Sequence, residues 1–351
     1  MLDKIIAKVS SSTRISDEDY RFLEENADLH SLGFLADMVR RRKHPERNVT
    51  YVIDRNINYT DICVSACKFC AFYKGPEDPS GFLLSFEEIG EKIQETQDLG
   101  GTQILLQGGL HPDLTLDYYE KMVRFMRDTG IHVHGFSPPE IHHFAEISKL
   151  SIETVIKRLM DAGLGSIPGG GAEILSDRVR DLTAPKKCTA DEWLAVMTTA
   201  HGLGLRTTAT MMFGHVETSE ERLEHLRRVR EAQDETSGFT AFIPWPFQPD
   251  NTVFADIEKT SSLTYLKTLA LSRIYLDNID NVQASWVTQG PKIAQLSLSF
   301  GANDFGSTMI EENVVAAAGV SFRLSEQEIR RLVSDAGYKP RQRLMDYTLV
   351  G

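Results

Sequence analysis

Cysteine is scarce in this chain, with four in 351 residues, too few for a scaffold built on disulfides. No apolar stretch reaches the ~18 residues that a membrane helix needs. The N-terminal MLDKIIAKVSSSTR also lacks the long apolar core of a signal peptide. The expectation is a cytoplasmic protein with no membrane span. Basic residues are outnumbered, 38 Lys and Arg against 50 Asp and Glu, for a net charge of −12. That balance disfavours a broad phosphate-binding surface, so no nucleic-acid partner is expected. The run Arg40-Arg41-Arg42-Lys43 does not change this. It closes a helical segment from Ser31 to Arg42, where cations offset the macrodipole, and His44-Pro45 follows as a stop. Low-complexity tracts and Pro/Gly/Ser-rich linkers are also missing. With 41% hydrophobic and 25% charged residues, the composition is that of a globular chain able to bury a core.

Strand-like and helical segments alternate along most of the chain. The first 48 residues read as helices, with Ser16 as an N-cap. VTYVIDRNINY (49–59) then opens a series of short strands. The others are 101–109, 131–140, 163–174, 205–215, 238–247, 281–288 and, most weakly marked, 300–306. Between them, Ser85, Thr189, Thr218 and Ser325 each stand three residues before a Glu, the capping-box spacing that starts a helix. Spacings of roughly 30–45 residues between strands fit right-handed βαβ units. Eight such strands favour an α/β fold of the closed (β/α)8 TIM-type barrel kind over an open sheet. The expected organisation is a helical extension over 1–48, the barrel over 49–320, and a tail over 321–351 that adds a helix and then an irregular stretch.

Three of the four cysteines fall within eight residues, at Cys63, Cys67 and Cys70, directly after the first strand. In a barrel the loops after the strands build the active-site face. Three thiolates on one loop can hold a metal. A structural zinc would need a fourth ligand, which one of ten histidines can supply. An iron–sulfur cluster fits better, because three thiolates on four irons leave one iron open, whereas electron-transfer clusters normally take four. Cys188 stands far away in sequence and reads as structural.

C-x3-C-x2-C after the first strand resembles the radical S-adenosylmethionine (SAM) enzymes. The resemblance implies a [4Fe–4S] cluster on Cys63, Cys67 and Cys70 whose open iron chelates SAM. One electron then cleaves SAM to a 5′-deoxyadenosyl radical. It also implies that Phe69 meets the adenine, and that Gln107, Gly108 and Gly109 receive the methionine amino group of SAM. Further stretches narrow the resemblance: Asn56-Ile57-Asn58-Tyr59-Thr60, Phe136-Ser137-Pro138-Pro139-Glu140, Ser166-Ile167-Pro168-Gly169-Gly170-Gly171-Ala172-Glu173 and Gly301-Ala302-Asn303-Asp304-Phe305-Gly306. They resemble the cyclic dehypoxanthine futalosine synthases of menaquinone biosynthesis. Aminofutalosine synthases and deazaflavin (F0) synthase subunits are the related alternatives. Gly165 departs from the pattern, which has Asp there.

In that group hydrogen abstraction from C4′ of the ribose of dehypoxanthine futalosine is followed by attack on the benzoate ring, spiro closure, and loss of an electron and a proton. The resemblance thus implies a small-molecule substrate and an electron donor such as a flavodoxin or ferredoxin. The remaining candidate residues follow from position. Asn56 and Asn58 share the inward side of the first strand by period 2 and are candidates for substrate contact. Ser137 and Glu140, beside Pro138-Pro139, are candidates for SAM contact, Glu140 also for a substrate hydroxyl or as a helix-start carboxylate. Gly170, within the triple glycine, lets a ligand approach the backbone, and Glu173 is a candidate hydroxyl binder or proton acceptor. His134 and His215, in or just after strands, are candidate bases, His134 also a substrate contact. Asp304 stands where a barrel's catalytic carboxylate is expected, at the end of the last strand. Each of these side chains has a packing or turn role as its alternative.

Overall fold

The computed structural model describes residues 1–320 and 322–351. Its strands are β1 (Asn48–Val52), β2 (Asp54–Asn58), β3 (Gln103–Gln107), β4 (His132–Gly135), β5 (Leu164–Ile167), β6 (Arg206–Phe213), β7 (Phe239–Pro246), β8 (Asn281–Val282), β9 (Asp304–Ser307) and β10 (Lys339–Gln342). Strands β2 to β8 form one parallel sheet in chain order, and β10-β1-β9 form a second. The sheets join at both edges. β1 continues into β2 through Ile53, so the pair is one strand bent there. Asn303 N–H donates to the Val282 carbonyl at 3.1 Å and Ala284 N–H to that of Asp304 at 2.9 Å, linking β8 to β9. With β9 paired to β1, the circuit closes on eight strands. The α/β barrel class read from the alternation is the observed one.

The local signals explain the alternation. All four expected capping boxes form, at Ser85, Thr189, Thr218 and Ser325. Each satisfies backbone donors that the helix start leaves free. The helices bury one stripe each against the sheet. Leu116–Asp128, for example, buries Leu116, Tyr119, Met122, Val123 and Met126, spaced at helical period. Tyr119 stacks on Phe144 with centroids 3.9 Å apart, and Phe136 lies edge-on to both. This aromatic wedge sits under the ends of β3 and β4 and supports the loops described below. Among the described residues no helix is long and apolar enough to cross a membrane.

Three elements differ from the sequence reading. The helix expected from Ser31 runs Leu29–Lys43, capped by Asp28. The last ring strand is Asp304–Ser307, because Leu298–Phe300 forms a 3-10 turn. Asp304 therefore begins this strand and lies toward the barrel floor, not at the active-site end. The stretch after the last helix (Glu326–Asp335) is not irregular. It forms β10, which pairs in parallel with β1 from Asn48↔Lys339 to Tyr51↔Gln342, and Arg343, Met345 and Tyr347 then turn in to line the barrel interior. The expected boundary at 321 falls on Ser321, outside the described residues.

Candidate active site

Cys63, Cys67 and Cys70 line one cavity of about 190 Å3 at the C-terminal end of the strands, with Asn58, Phe69, Gln107, Gly108, Gly109, Ser137, Glu140 and Lys187. The sequence separates these residues by well over a hundred positions. The barrel gathers them because every βα loop opens on the same face. The cluster loop is pinned from several sides. Cys63 N–H donates to the Lys74 carbonyl, Val64 N–H to that of Leu110 and Lys68 N–H to that of Thr183. Leu110 N–H donates to the Cys63 sulfur at 3.3 Å, and Ser65 shares a hydrogen bond with the Cys67 sulfur at 3.2 Å. Burial pushes the Cys67 and Cys70 thiols up, and Lys187 opposes it at both.

Gly108 and Gly109 are there for close approach, but to protein. A β-carbon on Gly108 would lie 2.5 Å from the Tyr59 ring, and one on Gly109 would lie 2.2 Å from the Ile62 carbonyl oxygen. The absence of side chains lets the β3 turn press on the cluster loop. Glu140 holds the same turn. One of its oxygens accepts from Tyr59 OH at 2.9 Å and Gly108 N–H at 3.0 Å. The other accepts from the N–H and hydroxyl of Ser137, both at 2.7 Å. Four donors fill this carboxylate, and through Gly108 it fixes the turn that lines the cavity. Burial pushes it up to about 7 against those donors.

Below about pH 7 the Glu140 group is the neutral acid with one hydrogen, and Glu140→Gln replaces its hydroxyl with an NH2 that carries two, facing donors on that side. The expected loss of stability is about 2–3 kcal/mol. The wild-type group binds more protons folded than unfolded. Its contribution is complete below the unfolded value and is lost as pH rises through about 7. Urea denaturation of both proteins should therefore show a gap widest near pH 5 and narrowing toward pH 8. A gap that is flat with pH refutes the burial assignment.

Glu173 does not line this cavity. Its backbone is in the left-handed region (φ 40°), and its carboxylate accepts from Lys187 Nζ at 2.9 Å, with Arg180 3.7 Å away. Lys187 does line it, with its ammonium 5.1 Å from the centre of the Phe69 ring. Burial opposes the Lys187 charge, and Cys67 and Glu173 more than offset that. Glu173 thus steadies a cation beside the cysteines.

A second cavity, about 280 Å3, fills the barrel interior below the first and shares Gln107 and Val314 with it. Its walls are largely apolar, with Leu105, Ile243, Trp245, Trp286 and Met309. Polar groups stand among them, including Asp54, Gln103, His134, Thr208, Glu312 and Arg343. That is the make-up of a pocket that orients a ligand through a few contacts. Gly170 lines it, and a β-carbon there would lie 2.3 Å from the Gln107 amide nitrogen.

The family model described as "Radical SAM superfamily" matches residues 57–229, and that for the "CofH/MqnC C-terminal region" matches residues 236–350. The chain is 46% identical to a cyclic dehypoxanthine futalosine synthase from Halalkalibacterium halodurans, covering 99% of this chain and 95% of that protein. The chain belongs to the radical SAM superfamily. A second cyclic dehypoxanthine futalosine synthase, from Streptomyces coelicolor, is 44% identical over 99% of this chain and 88% of its own. A 5-amino-6-(D-ribitylamino)uracil–L-tyrosine 4-hydroxyphenyl transferase from Archaeoglobus fulgidus is 43% identical over 90% of this chain and 92% of its own. The fold also matches that of methylornithine synthase, with a TM-score of 0.76 at 18% identity, over 96% of this chain and 97% of the other.

Radical SAM enzymes use a [4Fe–4S] cluster and SAM, and the residues present suit both. Three thiols face one cavity, a backbone N–H points at one sulfur, and the glycine turn and Lys187 stand beside them. Among the described residues no three metal-binding side chains are spaced to share a single ion. A four-iron cluster needs no such convergence, since each thiolate binds its own iron.

Four candidate residues of this radical SAM enzyme lie outside both cavities: Glu173, His215, Asp304 and Asn56. His215 is spent within its own turn: Nε2 is 3.0 Å from the Met212 carbonyl, Nδ1 accepts from Val216 N–H at 2.8 Å, and Glu217 is 3.4 Å away. Asp304 sits on the floor, buried, accepting from Thr50 and paired with Arg343 at 2.5 Å. A carboxylate held this way is not free to act as a base. Asn56 has its carboxamide oxygen buried with no partner among the described residues. Asn58 donates to the Gln107 carbonyl at 3.3 Å at the edge of the cysteine cavity. The sequence reading singled out none of Lys187, which lines the cysteine cavity, Asp54 and Arg343, which line the interior one, or Tyr59, which holds Glu140. Lys187 lies in an unremarkable Lys-Lys-Cys run, and only the fold turns it inward.

Proposed function

We propose that this enzyme closes a ring on dehypoxanthine futalosine, as a cyclic dehypoxanthine futalosine synthase of menaquinone biosynthesis. The observation that carries the reading is the 46% identity to a protein of that name across 95% of its length. Bound at the cysteine loop, the cluster and SAM supply a 5′-deoxyadenosyl radical that abstracts hydrogen. In this reading Cys63, Cys67 and Cys70 hold the cluster, Phe69 meets the adenine, and Gln107, Gly108 and Gly109 take the methionine end. Ser137 and Glu140 set the glycine turn, and Lys187, held by Glu173, would offer a cation to the SAM carboxylate. The interior cavity takes the substrate, with its apolar wall excluding water. Gly170 and His134 contact it there and Asn58 from the edge of the cysteine cavity, and Arg343, the one Lys or Arg in the interior lining among the described residues, faces its carboxylate end. An electron donor of the flavodoxin or ferredoxin class completes the system, in the cytoplasm.

The second reading, transfer of a tyrosine-derived hydroxyphenyl group to a ribitylaminouracil, draws on the 43% identity to the Archaeoglobus fulgidus protein. One anaerobic assay separates the two. The reconstituted, reduced enzyme is given SAM with either dehypoxanthine futalosine or ribitylaminouracil plus tyrosine. We expect 5′-deoxyadenosine and a cyclised product with the first substrate. Formation only with the second pair overturns the assignment.

A further inference from the structure

His132 and His134 alternate along β4, so period 2 points both rings to the same side of the strand. Ser166 lies on the adjacent β5, directly opposite His134 in the register. Its hydroxyl is 2.7 Å from His134 Nδ1 and 2.8 Å from His132 Nε2. A hydroxyl has one hydrogen. With His134 carrying its hydrogen on Nδ1 and His132 on its own Nδ1, the hydroxyl accepts from the first ring and donates to the second, and the three groups form a directed chain.

The chain connects two compartments. His134 is buried and lines the interior cavity, and its Nε2 has no partner among the described residues. His132 and Ser166 line a separate cavity of about 200 Å3 on the barrel floor, with Thr102, Arg206 and Asp346. Arg206 and Asp346 are exposed, so that cavity meets solvent. Met345 lines both cavities and is part of the wall between them. Gly165 makes the arrangement possible. A β-carbon there would lie 2.4 Å from His132 Cε1, so the ring rests against bare backbone.

We propose that His134, Ser166 and His132 form a proton relay from the interior cavity through the barrel floor to solvent, and that His134 accepts the proton released when the substrate ring is closed. This rests on the cyclisation reading above. The cyclised ring radical becomes aromatic by breaking one C–H bond. The proton goes to His134 Nε2. Of the three electrons involved, two form the new π bond and one passes to an iron–sulfur acceptor. His134 Nδ1–H then donates to Ser166, whose own hydrogen moves to His132 Nε2, and His132 Nδ1 releases a proton at the floor. Burial, then His132 and Arg343, push His134 down to about 3. Burial also lowers His132, which Asp346 opposes. Both rings are thus neutral at rest, and a proton passes along them without being stored.

The test is single-turnover chemistry in Ser166→Ala and Gly165→Ala, the second displacing His132 without touching the interior cavity. The expected result is continued formation of 5′-deoxyadenosine from SAM, with cyclised product lowered about ten- to a hundredfold. The organic radical should persist in the electron paramagnetic resonance spectrum. In His132→Ala, added imidazole should restore product, which no packing role predicts. An unchanged ratio of product to 5′-deoxyadenosine in folded Ser166→Ala and Gly165→Ala, with no imidazole rescue, overturns the relay. Absence of 5′-deoxyadenosine with dehypoxanthine futalosine in the wild type overturns the cyclisation reading instead.

Discussion

Replacing Arg343 with Met should destabilise the fold by about 3–5 kcal/mol, the usual cost of stranding one member of a buried ion pair. Arg343 is buried, pairs with Asp304 at 2.5 Å, and lies over the Tyr347 ring at 4.1 Å. Asp304 is fully buried and opens the strand that closes the ring against β1. Without the guanidinium, that carboxylate keeps Thr50 and the Gly306 N–H as donors. The pair also ties the C-terminal tail to the floor, so the loss should appear as one cooperative shift in a urea melt rather than as fraying of the tail. The double variant Arg343→Met with Asp304→Leu should recover much of the stability, because no charge is then left unpaired. A loss below about 1 kcal/mol in the single variant would mean that the tail is only loosely docked.

The second large effect concerns the cysteines. Cys67→Ala should abolish site-bound iron after anaerobic reconstitution and lower 5′-deoxyadenosine formation about a thousandfold or more, equivalent to roughly 4 kcal/mol in the barrier. Cys188→Ala is the control. That thiol is buried beside Arg180, which donates to its carbonyl, and it does not line the cysteine cavity. Its loss should leave iron content unchanged. Retention of a full complement of iron in Cys67→Ala would remove this residue from the ligand set.

Glu140, Glu173 and Asp304 show how far the sequence could be read. Glu140 stands in the first turn of a helix, Glu173 in the loop after the glycines and Asp304 at the start of a strand, and in all three the carboxylate is already taken by protein donors. Glu140 holds Gly108, Glu173 holds Lys187, and Asp304 holds Arg343. Position along the chain said that each was near a site. It could not say what stood opposite, because each partner comes from another element, as Arg343 does from the tail 39 residues away. His215 misled for the opposite reason. Its partners are local, within three residues, and a strand-end histidine looks the same whether it faces a cavity or its own turn.

Local order was far more legible. Strand and helix order, the capping boxes and the three-plus-one division of the cysteines are set by neighbours a few residues apart, and period and cap chemistry report those neighbours directly. The scarcity of cysteine was itself informative, since three of the four sit on one loop after the first strand. Tertiary structure alone decided that Lys187 faces the cysteines, that the tail adds β10 and seals the floor, and that Ser166 bridges two histidines across strands. Those contacts join residues from separate elements. Ring closure and strand register bring them together, and no local pattern records either.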